Sequence, residues 1–298
     1  ALVNLETLKI LQPADDFTAA RYRAGAVRLA DCGSYLAFRQ YYTVGKTRLH
    51  KAGFCKQHLI CPLCAIRRGA KSLDAYLKRY RFIMAQNPTW KLSMITLTVK
   101  NGDDLEERFK HLQKSVARIF KHRRDYLDKG RGKTEFRKIH GYVGTYEVTK
   151  DNGFGQVKET GWHPHAHIMV LHTTTFDYAA LQTEWKEITG DSHVLNVTAA
   201  KHPDEPELDF LEVFKYAVKF SDLKPLENIH AWDVLRSRRL LFSGGAFRGV
   251  EVPEELEDEP LDDLPYIELF YRHTANGYSL VSTVAAVGVV DEADAATV

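Results

Sequence analysis

The sequence predicts an α+β protein built on a central antiparallel sheet with helices on one face and the helix that starts near Leu208 over the other. Three observations carry that expectation. Short segments rich in β-branched and aromatic residues alternate with long amphipathic helical ones. Two strand-like segments, 141–150 and 162–172, are joined by the glycine-punctuated loop "DNGFGQVKETG", as in an antiparallel hairpin. Each of three strands also carries one apolar and one polar face.

The elements follow in order along the chain. Residues 16–31 read as a helix and 34–44 as a strand. A helix over 65–86 stops at Asn87-Pro88. The strand 92–100 ends at Asn101-Gly102, and the helix 103–127 is acidic at its start and basic at its end, as the helix dipole favours. A basic loop, 128–138, precedes the hairpin. Beyond it come a helix over 176–188, a strand over 193–200, a helix starting near Leu208 and another over 225–239. An acidic, proline-bounded linker at 251–265 leads to a hairpin turning at Asn276-Gly277. This organisation divides the chain into an amino-terminal helical, cysteine-bearing segment (1–88), a core (89–224) and a carboxy-terminal extension (225–298).

Composition narrows the class. The 298 residues are 44% hydrophobic and 27% charged with no long apolar run, which fits a globular protein and predicts no membrane partner. The first residues lack a basic start followed by an apolar stretch, so no signal peptide is expected. Four cysteines, three of them between Cys55 and Cys64, are too few for a disulfide scaffold and point to a reducing compartment and a metal site. The net charge of +2 conceals an asymmetry: from Glu251 onward there are 12 acidic residues against one basic, leaving 40 basic and 27 acidic in 1–250. A basic body is the footprint of a polyanion partner, most often nucleic acid.

The polar strand faces hold the candidate chemistry. "GWHPHAHIMV" places His163, His165 and His167 on one face of a strand, with Pro164, Ala166, Ile168 and Val170 on the other. Thr96 and Thr98 oppose Ile95, Leu97 and Val99, and Thr145, Glu147 and Thr149 share a face. If these strands pair, the polar face collects imidazoles and a carboxylate. Two imidazoles at i and i+2 with a carboxylate from the neighbouring strand can ligate one divalent ion. Half-buried histidines satisfied by hydrogen bonds are the structural alternative.

In the helix near Leu208, Phe210, Leu211, Phe214, Ala217 and Val218 make an apolar face, opposite a stripe of Glu212, Tyr216 and Lys219. Such a stripe is usually solvated surface. Beside a metal-ready sheet it acquires a second meaning. Tyrosine needs a cation to become a nucleophile, which Lys219 supplies, and Glu212 is placed to act as a base.

Cys32, Cys55, Cys61 and Cys64 form a set suited to structural zinc, with His58 competing for the fourth position. Arg67, Arg68 and Lys71 begin a basic helix after it, and Arg123 and Arg124 open a second basic stretch; both are candidate DNA contacts or solvated surface.

The ordered segments "ITLTV", "HPHAHIMV" and "EVFKYAVKFSD" resemble the three motifs of the HUH endonucleases, most closely those of plasmid rolling-circle replication initiators with a single catalytic tyrosine. "CGSYLAF" and "CKQHLICPLCAIRRGAK" look like the amino-terminal part of the same group, so the resemblance runs from about Cys32 to about Asp222. Ala166 stands where bulkier hydrophobes are common.

The resemblance implies a ferredoxin-like, palm-type core. It also implies Mg2+ or Mn2+ held by His165, His167 and Glu147, and Tyr216 attacking a phosphodiester of single-stranded DNA to form a 5′-phosphotyrosine link. Glu212 would help resolve that link, and Lys219 completes a Tyr-x-x-Lys pattern. His163 remains as a DNA contact or supporting residue. Origin DNA, single-stranded or hairpin, and the host helicase and polymerase are the partners implied, in a bacterial cytoplasm. A single-strand transposase or relaxase shares this chemistry. A zinc-containing DNA-binding regulator without catalysis, or a hydrolase of small phosphoesters, is the reading from another class.

Overall fold

The computed structural model describes residues 2–13, 15–151, 160–192, 194–214, 223–250, 265–274 and 277–286. In chain order the elements are α1 (Leu2–Ile10), α2 (Asp16–Ala30), β1 (Tyr35–Tyr41), β2 (Lys46–Ala52), α3 (Pro62–Gln86), β3 (Lys91–Thr98), α4 (Leu105–Lys129), β4 (Ile139–Asp151), β5 (Gly161–His172), α5 (Tyr178–Thr189), β6 (Leu195–Ala199), α6 (Pro206–Phe214), α7 (Pro225–Leu235), β7 (Leu241–Gly245), β8 (Tyr266–Thr274) and β9 (Gly277–Ala286). They fall into two compact units, one of residues 58–253 and one of 4–57 with 254–298. Residues 58–88 and 225–250 thus belong with the core sheet, where the sequence reading set them in flanking segments.

The smaller unit contains a four-stranded antiparallel sheet in the order β2-β1-β8-β9. Aromatic side chains knit β1 to β8: Tyr35 stacks on Phe270 at 5.4 Å between centroids, and Phe38 meets Tyr271 edge-on at 5.8 Å. The hairpin expected at Asn276-Gly277 therefore continues a sheet begun more than two hundred residues earlier.

The larger unit is built on a five-stranded antiparallel sheet, β6-β3-β5-β4-β7, with the two histidine-and-carboxylate strands, β5 and β4, near its centre. β3 pairs with β5 so that Ile95 faces Ile168 and Leu97 faces Ala166. All four are fully buried. Burying such side chains contributes about 1.5–3 kcal/mol each for the larger ones. α4 packs on this sheet. It begins at Asp104, whose carboxylate accepts the Glu107 N–H, and it ends at Gly130 with φ 63°, where a left-handed residue is needed. On its sheet side Phe109 meets Tyr146 edge-on and Phe120 stacks on Tyr142 at 3.9 Å.

The opposite face is covered by α6, the helix expected there, and by α3 as well. There, Leu92, Val143, Met169 and Leu171 form a core with Leu77 and Ile83 of α3 and Phe210, Val213 and Phe214 of α6. The physical reason lies in the strands themselves. Leu92 and Met94 continue the face that carries Thr96 and Thr98, and Met169 and Leu171 continue the face of the histidines. That face is polar at one end and apolar at the other. The apolar end requires helices. Val213, rather than Leu211, completes the buried side of α6: Val213 is 1% exposed and Leu211 42%.

Candidate metal centre and its surroundings

Strand register builds the centre. Across β4 and β5, Glu147 lies opposite His165, Thr145 opposite His167 and Thr149 opposite His163. Across β3 and β5, Thr98 lies opposite His165 and Thr96 opposite His167. One carboxylate oxygen of Glu147, Oε2, stands 3.4 Å from His165 Nε2 and 3.3 Å from His167 Nε2. The two imidazoles meet edge to face with centroids 4.8 Å apart. Glu147 and His165 are buried, and His167 is half-buried.

The far nitrogens are engaged. His167 Nδ1 lies 3.0 Å from the Thr96 hydroxyl, and His165 Nδ1 lies 3.3 Å from the His163 carbonyl. A backbone carbonyl only accepts, so His165 Nδ1 is the donor in this contact and Nε2 is the nitrogen turned towards Glu147. Imidazoles oriented through their outer nitrogen are the usual support of a ligating histidine. Two Nε2 atoms and a carboxylate oxygen within 4.8 Å of one another form a donor set that can hold a divalent ion. A cation there would also offset burial of the carboxylate, which costs several kcal/mol when uncompensated.

Further residues emerge here that sequence reasoning missed. Asn101 Oδ1 contacts His163 Nδ1, so the Asn101-Gly102 turn does more than end β3. An isolated bridge between Gly102 and Trp162 holds this turn against the start of β5. His163 is thereby fixed by Asn101 while its carbonyl supports His165. The Thr145 hydroxyl donates to the Val213 carbonyl of α6 at 2.5 Å. The polar alternation of the strands marked both threonines as site-facing, but no local signal named their partners.

Glu212 is an exposed residue of α6, and it lines a cleft of about 200 Å³ with Met94, Met169, Thr198 and Asp209. Tyr216 and Lys219 lie outside the described residues. Cys32 and Cys55 belong to the smaller unit, and Cys61 and Cys64 to the larger one, at the start of α3. The Cys55 N–H donates to Cys32 Sγ at 3.4 Å. His58 is turned to Arg68, whose guanidinium is 2.9 Å from its Nε2.

The basic candidates separate into two kinds. Arg67, Arg68, Lys71 and Arg124 are exposed. Arg123 is half-buried and spends its Nε and Nη2 on the Ile139 carbonyl, at 2.9 and 2.7 Å. Burial pushes its pKa down, although the guanidinium keeps its charge. It clasps the start of β4 and is not displayed to a ligand. Among the described residues, no helix is long and apolar enough to cross a membrane.

The site thus defines a class: an α+β protein whose central antiparallel sheet presents a His-x-His pair and a carboxylate on one face. Residues 46–273 match the model of the Rep_1 family, described as "Replication protein". The chain belongs to that family, in keeping with its resemblance to plasmid replication initiators. Among curated relatives, a "Protein rep" of Staphylococcus aureus is 28% identical over 202 residues, covering 64% of this chain and 81% of the relative. A "Protein rep" of Bacillus amyloliquefaciens is 26% identical over 296 residues, covering 87% of this chain and 81% of the relative. One of Streptococcus pneumoniae is 27% identical over 275 residues, covering 86% and 80%. No solved structure is significantly similar to the chain.

Proposed function

We propose that this protein initiates rolling-circle plasmid replication by nicking and joining single-stranded origin DNA through Tyr216, in the bacterial cytoplasm. The observation that carries the reading is the convergence of Glu147, His165 and His167 in a replication-protein chain whose next segment holds "EVFKYAVK".

His165, His167 and Glu147 hold a Mg2+ or Mn2+ ion, which supplies a Lewis acid for a non-bridging phosphate oxygen when bound. Thr96 and the His163 carbonyl keep the two imidazoles in their ligating orientation. The Tyr216 phenol gives up its proton to solvent water, and the Lys219 ammonium stabilises the phenolate. The phenolate oxygen forms a bond to phosphorus as the bond to the 3′ oxygen breaks. The leaving oxygen takes up a proton from solvent water to become the 3′ hydroxyl that primes synthesis. The phosphodiester energy is conserved in the phosphotyrosine link, so rejoining needs no ATP. Glu212 acts later, as a base on the water that resolves the link. The four cysteines hold a structural zinc ion. His163, Arg67, Arg68, Lys71 and Arg124 contribute contacts to the DNA.

Incubating the protein with a single-stranded origin oligonucleotide and Mn2+ tests the proposal. A covalent adduct mapped to Tyr216, absent from Tyr216→Phe and suppressed by chelation, is the expected result. A Tyr216→Phe protein that still cleaves would overturn it.

A further inference from the structure

We propose that Thr145 is a positioning residue that seats the end of α6, and with it the chain leading to Tyr216, against the metal-binding strands; this rests on the reading of Tyr216 as nucleophile. Thr145 lies two residues before Glu147 on β4 and directly opposite His167 on β5. Its hydroxyl donates to the carbonyl of Val213 at 2.5 Å. Val213 precedes Tyr216 by three residues. The bond therefore anchors the end of α6 from which the chain runs on to Tyr216.

α3 closes α6 from the other side. A Cβ on Gly69 would lie 2.5 Å from the Phe214 carbonyl oxygen, so only glycine lets the two helices approach this closely. Tyr76 stacks on Phe214 with centroids 5.3 Å apart, and Tyr80 packs on Phe210 at 5.3 Å. The last described turn of α6 is gripped between Gly69 and Thr145. α3 sets its height above the sheet, and Thr145 sets its place along β4. In-line attack on phosphorus tolerates little error, since a misplacement of about 1 Å costs on the order of 100-fold in rate. A threonine hydroxyl that only filled hydrogen-bonding capacity would leave the chemical step untouched when replaced by an isosteric methyl.

The experiment compares Thr145→Val, Thr145→Ser and Gly69→Ala with the wild type in single-turnover cleavage of an origin oligonucleotide at saturating DNA and Mn2+. Affinities for DNA and Mn2+ are measured alongside by anisotropy and calorimetry. Thr145→Val is expected to slow adduct formation by about 10- to 100-fold with both affinities retained, Thr145→Ser to restore the rate, and Gly69→Ala to reproduce the slow step from the α3 side. Thr145→Val at the wild-type rate, or Thr145→Ser as slow as Thr145→Val, overturns the proposal. So does a Thr145→Val protein whose metal and DNA affinities fall in proportion to its rate, because that marks a merely structural role. Wild-type protein that forms no Tyr216 adduct instead removes the proposed function, and this inference with it.

Discussion

Glu147 and His167 approach diagonally across β4 and β5, Oε2 to Nε2 at 3.3 Å, while the register partner of Glu147 is His165. The carboxylate is thus shared between two imidazoles two residues apart. A buried carboxylate oxygen beside two imidazole nitrogens makes a donor set that can hold a divalent ion.

The outer nitrogen of His167 makes a prediction about affinity. Thr96→Val keeps the shape of the side chain and removes the hydroxyl 3.0 Å from Nδ1. Losing such an orienting partner costs about 10- to 100-fold in metal affinity. Calorimetric titration with Mn2+ is expected to show that loss, with His167→Ala weaker still. An unchanged affinity in Thr96→Val would mean that His167 is held by other contacts.

Much of this centre was legible because two-residue periodicity is a strong local signal. His165, His167, Glu147, Thr96 and Thr98 were assigned to polar faces from alternation alone, and pairing across a hairpin brought those faces together. What sequence did not reveal was non-local or locally weak. β1 pairs with β8 across most of the chain, and no short-range pattern encodes that partner. β2, "KTRLHKA", lacks alternation and is mostly exposed. β7, "LFSGG", carries two glycines, which depress strand propensity. The second helix on the histidine face, α3, was missed because reading Thr96 and His167 as "the polar face" hid the apolar Leu92, Met94, Met169 and Leu171 further along the same rows. Arg123 looked like its neighbour Arg124 until the Ile139 carbonyl distinguished them.

The cysteines predict a metal content. Four cysteines, three of them in the spacing Cys55-x5-Cys61-x2-Cys64, suit one zinc ion, and structural zinc adds directly to folding stability. Protein purified under reducing conditions is expected to carry one zinc per chain by elemental analysis. Cys61→Ser is expected to lower that content and the denaturation midpoint together. Full zinc occupancy in Cys61→Ser would exclude Cys61 from the ligand set.

His172 makes stability depend on pH. Burial holds its pKa below the ordinary value, opposed by the Thr174 carbonyl, which accepts from Nδ1 and favours the charged form. Its Nε2 lies 2.8 Å from the Ser93 hydroxyl. In the unfolded chain the imidazole titrates near 6.5, and in the folded protein at a lower pH. As pH falls through about 6.5 the unfolded state takes up the proton first, so stability is full above that pH and declines below it. His140, also lowered by burial, adds in the same direction. Urea midpoints for the wild type are expected to drop between pH 8 and pH 5.5. His172→Gln is expected to have a lower midpoint at pH 8 but a shallower decline.

Neighbouring arginines give the sharpest contrast. Arg124 and Lys71 are exposed on α4 and α3, whereas Arg123 clasps the Ile139 carbonyl with two donors. Each basic side chain that neutralises a phosphate of single-stranded DNA contributes about 0.7 to the slope of log affinity against log salt concentration. If Arg124 and Lys71 touch the backbone, Arg124→Ala and Lys71→Ala each shallow that slope by about 0.7 and leave the urea midpoint nearly unchanged. Arg123→Ala does the opposite. It leaves the slope in place and lowers the midpoint, because removing the guanidinium strands a carbonyl at the start of β4 at a cost of about 1–3 kcal/mol. Measuring both quantities on all three variants separates a DNA contact from a structural clasp. A shallower slope in Arg123→Ala would show that its charge acts on the DNA in spite of that clasp.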